Sequence, residues 1–236
     1  FKDYAILYRT NAQSNAMEFA LKRNGIPYRV IGGTRFFDRA EVKDMLSYLC
    51  VINNRADDLR LKRIVNQPPR GIGAKAVESV ERLCAAQGTP LYSVICDPYT
   101  YPALERAAGK LMQFSVLIEQ CAALLDTLPL DAFYEELLVR TGYVAMLEQK
   151  DDLENRSRLE NVRELKSSIV TYMESTDTPT LAGFLEEIAL YTDIEQYDKD
   201  ADAVVMMTMH AAKGLEFPNV FVVGCEENLF PSARCV

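Results

Sequence analysis

The spacing of apolar and polar positions at the start of the chain predicts a strand, a helix and a second strand. Tyr4–Tyr8 is a short apolar run typical of a buried strand. From residue 15 to residue 24 apolar side chains recur at helical spacing, and Asn24-Gly25 is a usual helix end. Residues 26–31 predict the next strand, closed by two glycines. A β-α-β unit of this kind is the signature of a parallel sheet.

The pattern then changes to a series of helical periods without strands between them. We expect Asp38 to cap the first helix, with Glu41 as its capping-box partner. Further helical periods lie at residues 59–65, 74–86, 103–125, 130–141, 156–174 and 180–191.

Short apolar runs resume at 203–207 and 219–224, which predicts two more buried strands of a parallel sheet. The fold class is therefore an α/β parallel-sheet domain interrupted by a mostly α-helical insert. We assign residues 1–55 and 201–236 to the sheet domain and 56–200 to the insert.

Charge is distributed unevenly along the chain, whose net charge is −8. Residues 1–73 carry 13 basic and 7 acidic side chains, and the remainder carries 13 basic and 27 acidic ones. A basic part beside an acidic part raises the question of nucleic acid, although a chance asymmetry of solvated faces remains an alternative. Residues 173–202 hold nine acidic side chains and one basic one, so we expect a solvated, partly mobile segment there.

Composition excludes several classes of protein. The six cysteines form no C-x-x-C pair and the chain has one histidine, so we predict no metal site and small buried thiols in a reducing cytoplasm. No apolar run reaches the roughly 18 residues of a membrane span, and no secretion signal opens the chain. Because it begins with Phe1, we interpret it as a piece of a longer protein.

Polar side chains follow the first predicted strand. Arg9, Asn11, Gln13 and Ser14 are of the types that contact phosphates and bases, and the helix that follows offers free N–H groups. Polar loops between strands and helices are common, so by itself this loop is also compatible with a role in the fold alone.

A second candidate is the segment Pro68-Pro-Arg-Gly-Ile-Gly73. Gly71 and Gly73 permit a tight turn around Ile72, whose side chain is expected to plug into the fold. The N–H groups at the start of the following helix could hold a duplex phosphate, with Arg70 beside them. An ordinary turn between helices is the alternative.

The most specific segment is Thr208-Met-His-Ala-Ala-Lys-Gly-Leu-Glu216, between the last two predicted strands. Thr208 and His210 could contact a nucleic-acid backbone, and Gly214 permits a close turn near a nucleotide. Glu216 could accept a hydrogen bond from a ribose hydroxyl. A structural hydrogen bond for the histidine and a solvated charge for Lys213 are the alternatives.

Four segments, which begin at Tyr8, Ile31, Arg70 and Thr208, follow one another in an order that resembles the UvrD/PcrA/Rep family of superfamily 1 DNA helicases. The resemblance implies a second RecA-like domain with an inserted helical domain that binds duplex DNA. It places single-stranded DNA on Arg9, Asn11, Thr208 and His210, the ATP cleft on Gly214 and Glu216, and duplex DNA on Arg70, Gly71, Ile72 and Gly73. Asn15 stands where the family often has Arg, and Met209 replaces a common Leu.

The sequence has no G-x-x-x-x-G-K-[ST] phosphate loop, since the stretch from Gly71 to Lys75 lacks both the spacing and the hydroxyl. In the family that loop and the Mg²⁺ ligands lie in the first RecA-like domain. We therefore expect ATP and Mg²⁺ to act in the whole protein, and no ATP hydrolysis by this chain alone.

The resemblance implies an ATP-dependent 3′-to-5′ DNA helicase of repair or replication restart. Its expected partners are single-stranded DNA, a duplex junction, the first RecA-like domain of the same protein and repair proteins, with no membrane. Two alternatives stay open: a non-enzymatic module that binds DNA or protein, and a subunit of a helicase–nuclease.

Overall fold

The computed structural model describes residues 1–193, 202–226 and 230. Its sheet is parallel and has the strand order β2-β3-β1-β4. The strands are β1 (Tyr4–Tyr8), β2 (Tyr28–Ile31), β3 (Val204–Thr208) and β4 (Asn219–Val222). Ala5 of β1 pairs with Val205 of β3 and Val220 of β4, so β1 lies between two strands from the far end of the chain.

The helices follow one another along the chain between β1 and β3. They are α1 (Ser14–Arg23), α2 (Ala40–Asn53), α3 (Asp58–Ile64), α4 (Ala74–Gln87), α5 (Leu91–Cys96), α6 (Ala108–Ala122), α7 (Leu130–Arg140), α8 (Tyr143–Glu148), α9 (Leu153–Ser175) and α10 (Leu181–Asp193). The predicted class, a parallel α/β sheet interrupted by a mostly helical insert, is confirmed. The helix predicted at 103–125 is shorter in the structure, where α6 has 3-10 turns on both sides.

The prediction that residues 219–224 form a buried strand is wrong with respect to burial. Val220, Phe221 and Val222 are 48%, 55% and 47% exposed. β4 is the last strand of the described sheet, and its ring contact is with the exposed Tyr4 of β1. An apolar run predicts a strand, but its burial depends on what packs against it.

The predicted cap of the first helix after the sheet is also wrong. Asp38 lies in a 3-10 turn (Phe36–Asp38), and Arg39 occupies the N-cap position of α2. The Asp38 carboxylate pairs instead with Arg35 at 2.6 Å and Lys43 at 2.8 Å. Because Arg39 and not Asp38 is the N-cap residue, the Asp38 carboxylate is available to these two cations.

One hydrophobic core runs through the helical part of the chain and begins before the predicted insert. It includes Val42, Met45 and Leu49 of α2 together with Phe114 of α6 and Leu165 of α9. Helix α2 therefore packs against the helices of the predicted insert. The boundary between sheet domain and insert near residue 55 stays a prediction.

The acidic segment 173–202 is only partly as expected. Leu181, Phe184 and Ile188 of α10 are buried in the core, so this portion is packed and not merely solvated. Residues 194–201 lie outside the described part of the chain.

The cysteines differ in their surroundings. Cys84 and Cys121 are buried, and burial raises the pKa of the Cys121 thiol to about 11. Cys96 and Cys225 are exposed, so the expectation of buried thiols is wrong for them, and Cys235 is not among the described residues. Within the described ranges, no cluster of side chains could hold a metal ion. None of the helices described is both long and apolar enough to cross a membrane.

Candidate nucleic-acid interface

The loops that follow the four strands meet at one edge of the sheet, because parallel strands end at the same edge. The loop after β2 approaches the loop after β3 so closely that a β-carbon on Gly32 would lie 2.9 Å from Ala211 Cβ. The loop after β4 meets the loop after β1, where a β-carbon on Gly224 would lie 3.1 Å from Gln13 Cδ. Residues from both ends of the chain thus share one surface.

Arg9 and His210 are in direct contact although 201 residues separate them in the sequence. Arg9 Nη1 lies 3.0 Å from His210 Nδ1. A guanidinium can only donate, so Nδ1 accepts and the proton of a neutral imidazole lies on Nε2. His210 is exposed and Arg9 is half-buried, so the pair presents a cation and a ring N–H to solvent.

The remaining residues predicted to contact single-stranded DNA flank this pair. Thr208 ends β3, and its Oγ1 accepts from the Ala211 N–H at 3.3 Å. Asn11 begins a 3-10 turn (Asn11–Gln13) after β1 and is half-buried. Its Oδ1 would lie 3.8 Å from a β-carbon on Gly33. The structure therefore gathers Arg9, Asn11, Thr208 and His210 on the same edge of the sheet.

Gln13 and Ser14, by contrast, face into the protein. Gln13 Oε1 accepts from the N–H groups of Arg9 and Thr10 at 2.8 and 2.9 Å. Ser14 is buried and donates to Glu18 Oε1 at 2.6 Å. Their residue types matched the chemistry of a phosphate site, but their hydrogen bonds are made within the fold.

A buried polar network lies directly beneath the loop after β1. The Glu18 carboxylate accepts from the Phe36 N–H at 3.1 Å as well as from Ser14. Arg39 donates to Ser14 Oγ at 2.8 Å and to Asn161 Oδ1 of α9 at 2.8 Å. Burial raises the pKa of the Glu18 carboxyl, although its hydrogen bonds and the charge of Arg39 oppose that shift. The network joins the sheet domain to α9 and gives the loop a rigid base.

The departure at Asn15 has a structural explanation. Asn15 is buried, and its Nδ2 donates to Glu164 Oε1 and Ser168 Oγ of α9, each at 3.1 Å. Ser168 Oγ in turn donates to Asn15 Oδ1 at 3.2 Å. This side chain holds α1 to α9 and does not face the surface of Arg9 and His210.

The segment after β3 continues into an open turn. Gly214 has φ +84°, and among the described residues only its chain neighbours would lie within 4 Å of a β-carbon there. Lys213 and Glu216 are exposed on either side of it. A left-handed glycine followed by an exposed carboxylate leaves space and an acceptor for a polar ligand such as a ribose hydroxyl.

The segment of residues 68–73 lies apart, in the helical part. Ile72 is 1% exposed and plugs into the core as expected, while Gly71 has φ +69°. Asn66 Oδ1 accepts from the Arg70 and Ile72 N–H groups at 2.8 and 3.1 Å. Gly73 is the N-cap of α4, and the Nζ of the exposed Lys110 donates to the Gly71 carbonyl at 3.0 Å.

The Arg70 side chain turns inward, contrary to the expectation that it lies beside a bound phosphate. Its guanidinium donates to Tyr48 Oη at 2.5 Å and to the carbonyls of Ile64, Pro68 and Thr141, each at 3.1 Å. It also lies over the rings of Tyr48 and Phe114. These contacts occupy the guanidinium with the fold.

Comparison with known proteins shows the family of the chain. The model of the UvrD-like helicase C-terminal domain matches residues 1–236. The chain belongs to this family. It is similar to the ATP-dependent DNA helicase PcrA of Bacillus subtilis (strain 168), at 41% identity over 98% of the chain and 32% of the relative. It is also similar to those of Staphylococcus aureus (strain Mu50) and Staphylococcus epidermidis, at 39% and 38% identity over the whole chain and 32% of each relative.

Membership of the UvrD-like family confirms the resemblance inferred from the motif order. The chain spans about a third of the length of these curated relatives. Its RecA-like parallel sheet with a helical insertion is the architecture expected of a domain of this family.

Proposed function

We propose that this chain is the C-terminal part of an ATP-dependent 3′-to-5′ DNA helicase that acts in DNA repair or replication. The observation that carries the proposal is the contact between Arg9 and His210 at the exposed carboxyl edge of the sheet. A charged guanidinium and a ring N–H set on rigid strand ends suit the phosphates of a single strand, and Asn11 and Thr208 extend the same surface. The direction of movement rests on the family resemblance.

The ATP site of the whole protein would be completed by this chain, with Gly214 and Glu216 on one wall. Open space at Gly214 and the exposed Glu216 carboxylate fit the sugar of a nucleotide. The described residues do not fit Mg²⁺, since they hold no metal-ligating cluster, and the sequence has no phosphate loop. Bound ATP would add the negative charge of its phosphates to the cleft. This chain would orient the ribose of the nucleotide, and its segment 208–216 would relay whether the cleft holds ATP.

The helical insert, proposed to span residues 56–200, would guide the duplex. Gly71 and Gly73 leave the main chain exposed at the start of α4, where free N–H groups can hold a phosphate. Lys110, which contacts the Gly71 carbonyl, adds a positive charge beside this turn. We assign the duplex contact to this main chain and Lys110, because the Arg70 guanidinium is occupied by the fold.

The first RecA-like domain of the same protein is the partner that this proposal requires, and repair proteins are further candidates. A non-enzymatic binding module is the alternative, favoured by the net charge of −8. It predicts that the whole protein binds DNA without turnover of ATP. A helicase–nuclease subunit is the second alternative and would require a carboxylate cluster outside the described residues.

The proposal is tested by the affinity of the full-length protein for a fluorescein-labelled poly-dT oligonucleotide, measured by anisotropy over a series of salt concentrations. Arg9→Ala should weaken binding about tenfold, the effect of one charge-assisted hydrogen bond. It should also reduce the slope of log K against log salt by about 0.7. His210→Ala should weaken binding as well, because the ring fixes the guanidinium.

Arg23→Ala is the matched control. Arg23 is an exposed arginine at the end of α1, whose start lies at the carboxyl edge of the sheet, so Arg23 is remote from the site. Its removal should leave the affinity and the salt slope within error of the wild type. Equal behaviour of Arg9→Ala and Arg23→Ala would show that the site assignment is wrong.

A further inference from the structure

The side chain of Gln13 joins two loops at the carboxyl edge of the sheet. It ends the 3-10 turn after β1, and its Oε1 accepts from the main-chain N–H groups of Arg9 and Thr10. An amide oxygen has two lone pairs, so both are used at this position. Gln13 therefore fixes the main chain from which the Arg9 side chain projects.

The other end of the Gln13 amide lies against Gly224, just after β4. A β-carbon on Gly224 would overlap with Gln13 Nε2 and lie 3.1 Å from its Cδ. A main-chain hydrogen bond between the ends of β4 and β1, from Val223 N to Leu7 O at 2.9 Å, holds the loops after these two strands side by side. As long as Gln13 keeps its hydrogen bonds to the Arg9 and Thr10 N–H groups, only a glycine leaves space for its amide here.

These contacts hold Arg9 from two sides. Its guanidinium meets His210 beyond β3, while its main chain is held by Gln13 toward β4. We propose that Gln13 is a positioning residue that presents Arg9 to the DNA strand through its main chain, and that Gly224 is glycine because it must accommodate Gln13. The inference rests on the proposed binding of single-stranded DNA by Arg9.

Backbone conformation alone would also favour glycine at this position, since Gly224 has φ +67°. A substitution at Gly25 distinguishes the effect of backbone conformation from the effect of a clash with Gln13. Gly25 has φ +64°, and a β-carbon there would have no atom within 4 Å in the described part of the chain apart from its chain neighbours. Gly25→Ala therefore introduces the same backbone strain without a clash, and it lies in the turn after α1, outside the proposed site.

The affinity of the full-length protein for labelled poly-dT, with melting temperatures measured in parallel, tests the proposal. Gln13→Ala should weaken binding about fivefold, because Arg9 must then be ordered on binding. Gly224→Ala should weaken binding at least as much. The double variant should bind like Gln13→Ala alone, since the smaller side chain removes the clash. Gly25→Ala should remain within about twofold of the wild type, although its backbone strain lowers the melting temperature.

Epistasis with Arg9→Ala distinguishes positioning from general support of the fold. In the Arg9→Ala background, Gln13→Ala should cause no further loss of affinity, since the residue acts through Arg9. An equal loss in both backgrounds would overturn the proposal, as would additive losses from Gln13→Ala and Gly224→Ala.

The affinity of the Arg9→Ala variant for poly-dT tests the proposed function independently of the role of Gln13. If this variant binds poly-dT like the wild type, the DNA role of the loop and the positioning role both fail. If it weakens binding while Gln13→Ala and Gly224→Ala do not, only the positioning role is overturned.

Discussion

The Arg70 side chain has one role predicted from the sequence, a phosphate contact, and another in the folded chain, where it supports the core. In the structure the guanidinium makes four hydrogen bonds and lies over two aromatic rings. At about 1 kcal/mol for each hydrogen bond and about 0.5 kcal/mol for each ring, the sum approaches 5 kcal/mol. Because Arg70 is only half-buried, we expect Arg70→Ala to lower the free energy of unfolding by about 3 kcal/mol.

Urea unfolding of the 236-residue chain, followed by circular dichroism, measures this change. A loss of about 3 kcal/mol corresponds to a melting temperature lower by roughly 6–12 °C for a domain of this size. Tyr48→Phe removes one acceptor of the guanidinium, so a double-mutant cycle with Arg70→Ala should show a coupling of about 1 kcal/mol. Arg106→Ala, at an exposed arginine before α6, is the control and should change stability by less than about 0.5 kcal/mol.

Duplex binding separates the two interpretations of Arg70. If its side chain supports the fold, Arg70→Ala leaves the salt slope of duplex binding unchanged below the melting temperature. Unchanged stability together with a slope smaller by about 0.9 would refute the structural role and restore Arg70 as a phosphate contact.

Three further predictions concern the Asn15 contact, the Glu18 carboxyl and the cysteines. Asn15→Leu should destabilise the joint between α1 and α9 by about 1–3 kcal/mol in urea unfolding, because Ser168 loses its partner, and equal stability would contradict it. The pKa of Glu18 is raised in the fold by burial, so the folded chain holds that proton more tightly and stability falls as pH rises above the ordinary value of 4.5. Glu18→Gln should remove this fall, which urea titrations from acid to neutral pH would detect. A thiol reagent should label the exposed Cys225 in the native chain and Cys121, whose pKa is about 11, only after unfolding.

The strands were predictable because each is a short apolar run between turn residues. The edge position of β4 was not, since its exposure is set by neighbours and not by its own residues. Helices α5 and α8 have six residues each and are too short to show a helical period, so no pattern indicated them.

Parts of the candidate site could also be predicted. Arg9 and His210 each follow a predicted strand, and this position predicts that both lie on one edge of a parallel sheet. Their direct contact, and the inward turn of Gln13, depend on which strands are neighbours and on side-chain packing. Arg70 shows the same limit: a basic residue beside a glycine turn has the right chemistry for a phosphate, but its direction is decided by the carbonyls and rings around it.

We propose that the loops after β1 and β3 form one site for single-stranded DNA. Photo-crosslinking of the full-length protein to a poly-dT oligonucleotide, followed by peptide mapping, tests it most directly. Cross-links are expected within residues 9–11 and 208–210, and they should be lost in an Arg9→Ala, His210→Ala double variant. Cross-links confined to other surfaces, or unchanged in that variant, would contradict it.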